Sequence, residues 1–361
     1  MSKTIKYAGW SLAGLVIIGG LLSLLVWAIT FHPAKIQAET VACAANTPIL
    51  QPGQSLKVLT YNVQYMAGKN YVFFYDLPDE AGPDERPSAT DIDQTLREVA
   101  RMIRAENPDV VLLQEVDDGS ARTDYEDQLA RLLALLPQDY RCHTSAFYWQ
   151  AAFVPHPRIR GAIGQKLSII SKYQINAATR SQLPVAAVDP LTQQFSPKQA
   201  ILAARLPVEN RQDLVLLTTH LEVSNRGAEV MRNQVAAINE RLNSLNQGGY
   251  AWLIGGDFNL LPPGQFDRLQ EDQKHNFRAE TELKPLFDHY NVIPGLADIT
   301  GEQSRQWYTM FVNDPSTTEP DRTLDYIFFA DSMTLVDGYV RQHDTLDISD
   351  HLPLIAQFAL P

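Results

Sequence analysis

Short apolar runs of strand length recur from Leu56 to the carboxy terminus, and most of them stop on a polar side chain. They are "LKVLTYN", "DVVLLQEV", "KLSIIS", "QAILAARLPV", "DLVLLTTHL", "AWLIGGDF", "TLDYIFFA" and "LPLIAQFAL". A continuous apolar run of this length fits a strand buried on both faces, so the sheets it builds must be covered on either side. Helical spacing fills several gaps. Ile92, Leu96, Val99 and Ile103 share one face of a helix capped by Thr90 or Asp91 and stopped at Asn107-Pro108. Tyr125, Leu129, Leu132 and Leu133 mark a second helix, and the longest runs from about Asn225 to Leu242. The expected fold is α/β: a four-layer sandwich of two packed, mostly antiparallel β-sheets flanked by helices, plus one N-terminal transmembrane helix.

That last helix comes from the other outstanding feature. Ala8 to Phe31 are 24 consecutive uncharged residues, preceded by Lys3 and Lys6. At about 1.5 Å per residue they span a hydrocarbon core of about 30 Å, and they exceed the roughly 7 to 15 apolar residues of a cleavable signal. An uncleaved anchor is favoured over a long signal peptide cut near Ala38 or Ala45, or a buried soluble helix. The two lysines keep the amino terminus cytoplasmic, which puts the rest of the chain outside, in the periplasm if the source is bacterial. Residues 1–31 are then the tip and anchor, 32–54 a linker ending in Pro-Gly, and 55–361 the catalytic domain, with a probable insertion at 65–90.

Beyond the anchor, 28 basic residues face 42 acidic ones, a balance of −14 that repels polyanions and disfavours broad binding of nucleic acid. Cys43 and Cys142 can pair in an oxidising compartment, while a free or lipid-modified Cys43 is equally compatible with the sequence. Thr40 makes "TVAC" a poor lipobox. Within the insertion, the cluster Tyr71 to Tyr75 reads either as a strand packed on the core or as a wall for an apolar substrate or the bilayer.

The polar residues that close the strands are Asn62, Glu115, His220, Asp257 with Asn259, Asp325, and Ser349-Asp350-His351. Singly, each is a strand terminus or an Asx turn. In series they are "TYNVQ", "LLQEV", "TTHLE", "GGDFNLLP", "LDYIFF" and "SDHLPL", and in that order the chain resembles the endonuclease/exonuclease/phosphatase superfamily of DNase-like phosphoesterases. It looks nearest to bacterial sphingomyelinase-like and lipid-remodelling members.

The resemblance implies Glu115 as principal metal ligand with Asn62 and Asp350 near the metal. It implies Asp257 positioning or deprotonating the attacking water, Asn259 steadying nucleophile or phosphate, His351 and His220 on the phosphate, and Asp325 fixing the tautomer of His351. Oxygen ligands and the absence of zinc-type Cys or paired-His spacing favour Mg²⁺ or Mn²⁺. Gly255 and Gly256 suit close backbone approach, and the i, i+2 spacing of Asp257 and Asn259 suits an extended segment. Tyr148, Gln150 and Trp307 are the expected substrate contacts.

The expected activity is metal-assisted, in-line hydrolysis of a phosphodiester, lipid-linked or otherwise membrane-associated. An extracytoplasmic nuclease and a catalytically retired scaffold are the alternatives. The sequence indicates no protein partner.

Overall fold

In the computed structural model, residues 3–77, 81–223, 227–271 and 273–361 are described. Asn225, where the longest helix was expected to begin, lies outside them, as do residues 78–80 of the expected insertion. In chain order the elements are α1 (Lys3–Ile29), β1 (Ile36–Glu39), β2 (Val41–Cys43), β3 (Ser55–Asn62), α2 (Ala89–Glu106), β4 (Val110–Asp117), α3 (Gln128–Leu135), β5 (Cys142–Val154), β6 (Gly161–Ser171) and β7 (Ala177–Gln182). There follow α4 (Pro190–Phe195), β8 (Ala200–Leu206), β9 (Leu214–His220), α5 (Ala228–Gln247), β10 (Trp252–Asp257), α6 (Lys284–His289), β11 (Asn291–Ile293), α7 (Leu296–Thr300), β12 (Asp325–Phe329), β13 (Thr334–Val340) and β14 (Leu354–Ala359).

The strands form two seven-stranded sheets, ordered β1-β7-β8-β9-β10-β12-β11 and β13-β14-β3-β4-β6-β5-β2. Each is mixed: β9/β10 and β3/β4 are parallel and every other neighbouring pair is antiparallel. Alternation of side chains along a strand separates the apolar residues into layers. Val58, Leu112 and Ile169 meet Leu202, Leu216, Leu253 and Ile327 between the sheets. Leu59, Val111 and Leu113 face outward and are covered by Ile92, Leu96, Val99 and Ile103 of α2. Val215, Leu217 and Ile254 are covered on the opposite outer face by Val235, Ile238 and Leu242 of α5. The expected four layers are present.

Three local expectations change. The segment 32–54 is not a bare linker, because β1 pairs with β7 and β2 with β5, adding an edge strand to each sheet. Strands of three or four residues carry too little alternation to show in the sequence; their partners supply the pairing. In β2 the register sets Cys43 opposite Cys142, and the two form a disulfide. Second, Tyr71 to Tyr75 is not a strand. The rings stack instead, Tyr71 on Phe73 at 5.5 Å and Phe73 on Tyr75 at 5.6 Å between centroids, on irregular backbone. Third, α2 begins one residue past Ser88, whose hydroxyl accepts the Asp91 amide at 3.2 Å, so Ser88 is the cap in place of Thr90 or Asp91.

The helix α1 is unlike the rest. From Trp10 to Ile29 it is long and apolar enough to cross a membrane, with a mean hydropathy of 2.5, and none of this span is buried in the protein.

Candidate active site

Sheet register assembles half of the site. Asp257, last residue of β10, stands opposite His220 at the end of parallel β9 and opposite Asp325 at the start of antiparallel β12. His220, Asp257 and Asp325 therefore form one row across the sheet. The row is tight because a Cβ on Gly256 would lie 2.0 Å from the Thr219 carbonyl oxygen on β9; only glycine permits that approach. In the other sheet Asn62 ends β3 beside Gln114, and the next residue, Glu115, sits in a bulge of β4 with φ of 57°. A bulge re-aims a side chain that regular pleating would send to the other face. Here it turns the Glu115 carboxylate towards Asn62.

The two halves meet at one oxygen. Asp257 Oδ2 lies 3.1 Å from Asn62 Nδ2, 3.5 Å from His220 Nε2 and 3.4 Å from His351 Nε2. Asn62 Nδ2 also donates to Glu115 Oε1 at 3.0 Å, and His220 Nε2 is 3.8 Å from that oxygen. The Asn62 amide is oriented by the Gln64 amide, which donates to Oδ1 at 3.0 Å. Asn62, expected as a metal ligand through oxygen, thus presents its nitrogen to the two carboxylates.

His351 donates from Nδ1 to Asp325 Oδ2 at 2.7 Å. Burial alone would depress the imidazole pKa, yet Asp325 and Asp257 raise it well above the ordinary value, which favours the protonated ring. Thr309 Oγ1 accepts the Leu324 and Asp325 amides at 3.0 and 3.1 Å and fixes the strand start that carries Asp325. Ser349 Oγ bridges the Asn62 carbonyl at 2.9 Å and Asp350 Oδ1 at 3.2 Å, which ties the last loop to β3.

Asn259 departs from expectation. It follows the strand end in a left-handed conformation, φ 51°, so the Asp257–Asn259 segment is a turn and not extended. Its amide N–H donates to Asp257 Oδ1 at 2.8 Å and its side chain to the Leu221 carbonyl at 3.1 Å. Asparagine tolerates that conformation because its short polar group bonds locally. The Asx turn and the site share the same two residues.

Of the expected contacts, Tyr148 is buried with its hydroxyl 3.2 Å from His220 Nδ1. Gln150 is exposed, and Trp307, at the end of a short helical turn outside both sheets, packs against the core between the sheets and the core beneath α5; neither lines the cavity described next. A bulge between Phe147 and Trp149 breaks the alternation of β5, so Gln150 does not follow Tyr148 inward.

Beside Glu115 and His220 opens a cavity of about 590 Å³. Its far walls are Phe73, Phe74 and Tyr75 from the 65–90 segment, with Trp149, Ile159 and Ile163 from the β5–β6 hairpin. Arg122 also lines it, bidentate to Asp117 at 2.8 and 2.9 Å and 3.5 Å above the Tyr65 ring. Missed by sequence reasoning were Gln165, which donates to Glu115 Oε2 at 3.2 Å, and Arg122. Neither closes an apolar run, which was the signal used.

A divalent cation suits this donor set. Asp257 and Asp325 offer carboxylate oxygens within 4.8 Å of each other, with His351 beside them as the phosphate-side donor, and Glu115 reaches the same place through Asn62. Burial pushes the Asp350 carboxyl above its ordinary range, and Glu115 adds to that despite His351. Such an accumulation of buried acids is costly until a cation offsets it.

The sequence pattern of the Endonuclease/Exonuclease/phosphatase family matches residues 59–351. The chain belongs to that family, whose members are hydrolases of phosphoric esters. Among curated proteins no relative matches. Among solved structures it is similar to an endonuclease/exonuclease/phosphatase from Beutenbergia cavernae DSM 12333, with 21% identity, TM-score 0.58, and coverage of 85% of this chain and 72% of that one. The human Nocturnin catalytic domain with bound sulfate aligns at 16% identity and TM-score 0.53, over 90% of this chain and 97% of its own. ANGEL2, described as a 2',3'-cyclic phosphatase and solved with adenosine-2',3'-vanadate, aligns at 13% and 0.53, over 89% and 98%. At these identities the likeness establishes the shared fold.

Proposed function

We propose that this protein is a membrane-anchored, Mg²⁺- or Mn²⁺-dependent phosphodiesterase acting on a lipid or another membrane-associated phosphodiester. The observation that carries the chemistry is the convergence of Asn62, His220 and His351 on Asp257 Oδ2, with Glu115 alongside. Glu115 and Asp257, with Asp350 close by, would hold the cation, which would supply the positive charge that offsets the phosphoryl oxygens. Asp257 takes the proton of the attacking water, its other oxygen being fixed by the Asn259 amide. The His351 imidazolium, held by Asp325, donates to a phosphoryl oxygen, and His220, backed by Tyr148, faces the same group.

Support for a membrane-associated substrate comes from the exposed apolar span Trp10–Ile29 and from the aromatic wall of the cavity. Lys3 and Lys6 favour a cytoplasmic amino terminus. The Cys43–Cys142 disulfide favours an oxidising compartment for the catalytic domain, hence an extracytoplasmic, single-pass arrangement. A nuclease is the second reading, because aromatic faces and Arg122 beside the site also suit a base and its phosphate.

The deciding experiment is hydrolysis by the full chain, with Mg²⁺ and with chelator, across choline and inositol phospholipids, single-stranded and duplex DNA, RNA and small phosphomonoesters. Chelator-sensitive turnover of a phospholipid is expected. Turnover of nucleic acid alone would select the nuclease, and no turnover anywhere would leave a scaffold.

A further inference from the structure

The place where α1 leaves the catalytic domain carries more than an anchor. Thr30, just past the helix, forms an antiparallel bridge with Ala151, and the end of α1 meets β5 there. Antiparallel pairing makes β5 run back alongside the helix once it has passed Ala151. Phe153 and the turn to Gly161 therefore lie on the same side of the domain as α1, while Val154 between them is buried against Ala151 and Ile163. Phe153 is 46% exposed there. The turn, residues 155–160, carries His156, Arg158 and Arg160 and no acid, in an exported chain whose balance is −14. Helix α4, also packed on β5, adds Leu191, 60% exposed. At the end of α1, Trp27 stacks on His32 at 5.3 Å, the kind of amphipathic ring pair that sits at headgroup level.

The same hairpin shapes the cavity. Arg158 and Ile159 line it, and Phe74 of its aromatic wall stacks on His156 at 5.3 Å. We propose that the tip of the β5–β6 hairpin is a second membrane contact. Phe153 seats at the headgroup and acyl boundary of the leaflet from which α1 emerges, Arg160 meets anionic headgroups, and the cavity takes its phospholipid substrate from that leaflet. An apolar side chain flanked by basic ones is the composition an anionic interface binds. This rests on the anchored reading above, so its test must separate the two.

The full chain is placed in vesicles of phosphatidylcholine and phosphatidylglycerol with a photo-cross-linking p-benzoylphenylalanine at one of three positions. These are Phe153, Leu21 inside α1, and Val336, which is 59% exposed on β13 at the far edge of the same sheet as β5. Lipid adducts are expected at positions 21 and 153 and not at 336. Adding Arg160→Gln, or omitting phosphatidylglycerol, should lower the adduct at 153 by about fivefold, the scale of one basic side chain at an anionic leaflet. Adducts at 21 with no more at 153 than at 336 would overturn the docking of the hairpin and leave the anchor standing. No adduct at 21 would withdraw the anchor, and the hairpin proposal with it.

Discussion

The polar cluster and the apolar wall of the cavity beside it are built in opposite ways. At the polar end, His220, Asp257 and Asp325 are set by sheet register, and each is held by several partners. At the apolar end, Phe73, Phe74 and Tyr75 lie on irregular backbone and are held by one another, by Tyr65 and by His156. Chemistry needs atoms placed to within fractions of an ångström, and hydrogen-bonded strands supply that. Discrimination among apolar groups tolerates a looser wall, because burial is non-directional. A site divided this way changes its substrate through the second end without disturbing the first.

The division is broken most severely at Asp257. Asp257→Ala removes the oxygen on which three donors converge, and turnover of every substrate, including a small soluble diester, should fall by at least about 10²-fold. Retention of near-normal rates would show that the polar end is not where reaction occurs. The next effect is a change of profile. Asp325 holds the His351 pKa up, so Asp325→Asn should move the alkaline limb of the pH–rate curve to lower pH.

The sign for stability follows from the same shift. The raised imidazole contributes fully below its unfolded value and loses that contribution as pH rises through the folded one. Fluorescence-monitored unfolding at a series of pH values reads it directly, as a decline on the alkaline side that Asp325→Asn flattens. Smallest is the effect at the apolar end. Phe74→Ala should raise KM for a lipid substrate about tenfold, from roughly 1 to 2 kcal/mol of lost apolar contact, with kcat on a small diester unchanged. A matching loss of kcat would mean the two ends are not separable.

What was legible in the sequence follows the same line. Runs such as Val110–Leu113 and Leu214–Leu217 announce strands because burial on both faces demands unbroken apolar residues, and their polar ends mark the site. The bulge that turns Glu115 inward leaves no trace in composition, since it is a backbone event at an ordinary residue. The turn at Asn259 is legible as an Asx turn set against the site reading, whereas the structure has both at the same residues. The strands β1 and β2 are too short to declare themselves, and the Cys43–Cys142 pairing depends on the register of β2 against β5. The aromatic cluster was visible as a cluster only. Its form depends on irregular backbone that stacks neighbouring rings on one another, and no local period encodes that.

The central claim is that Glu115 and Asp257 share one divalent ion. Titration of Mn²⁺ into the full chain, followed by the paramagnetic resonance of the free ion, tests it without any assay of turnover. Saturable binding is expected, lost or greatly weakened in Glu115→Gln and in Asp257→Asn alike. Binding left unchanged by both substitutions would contradict it.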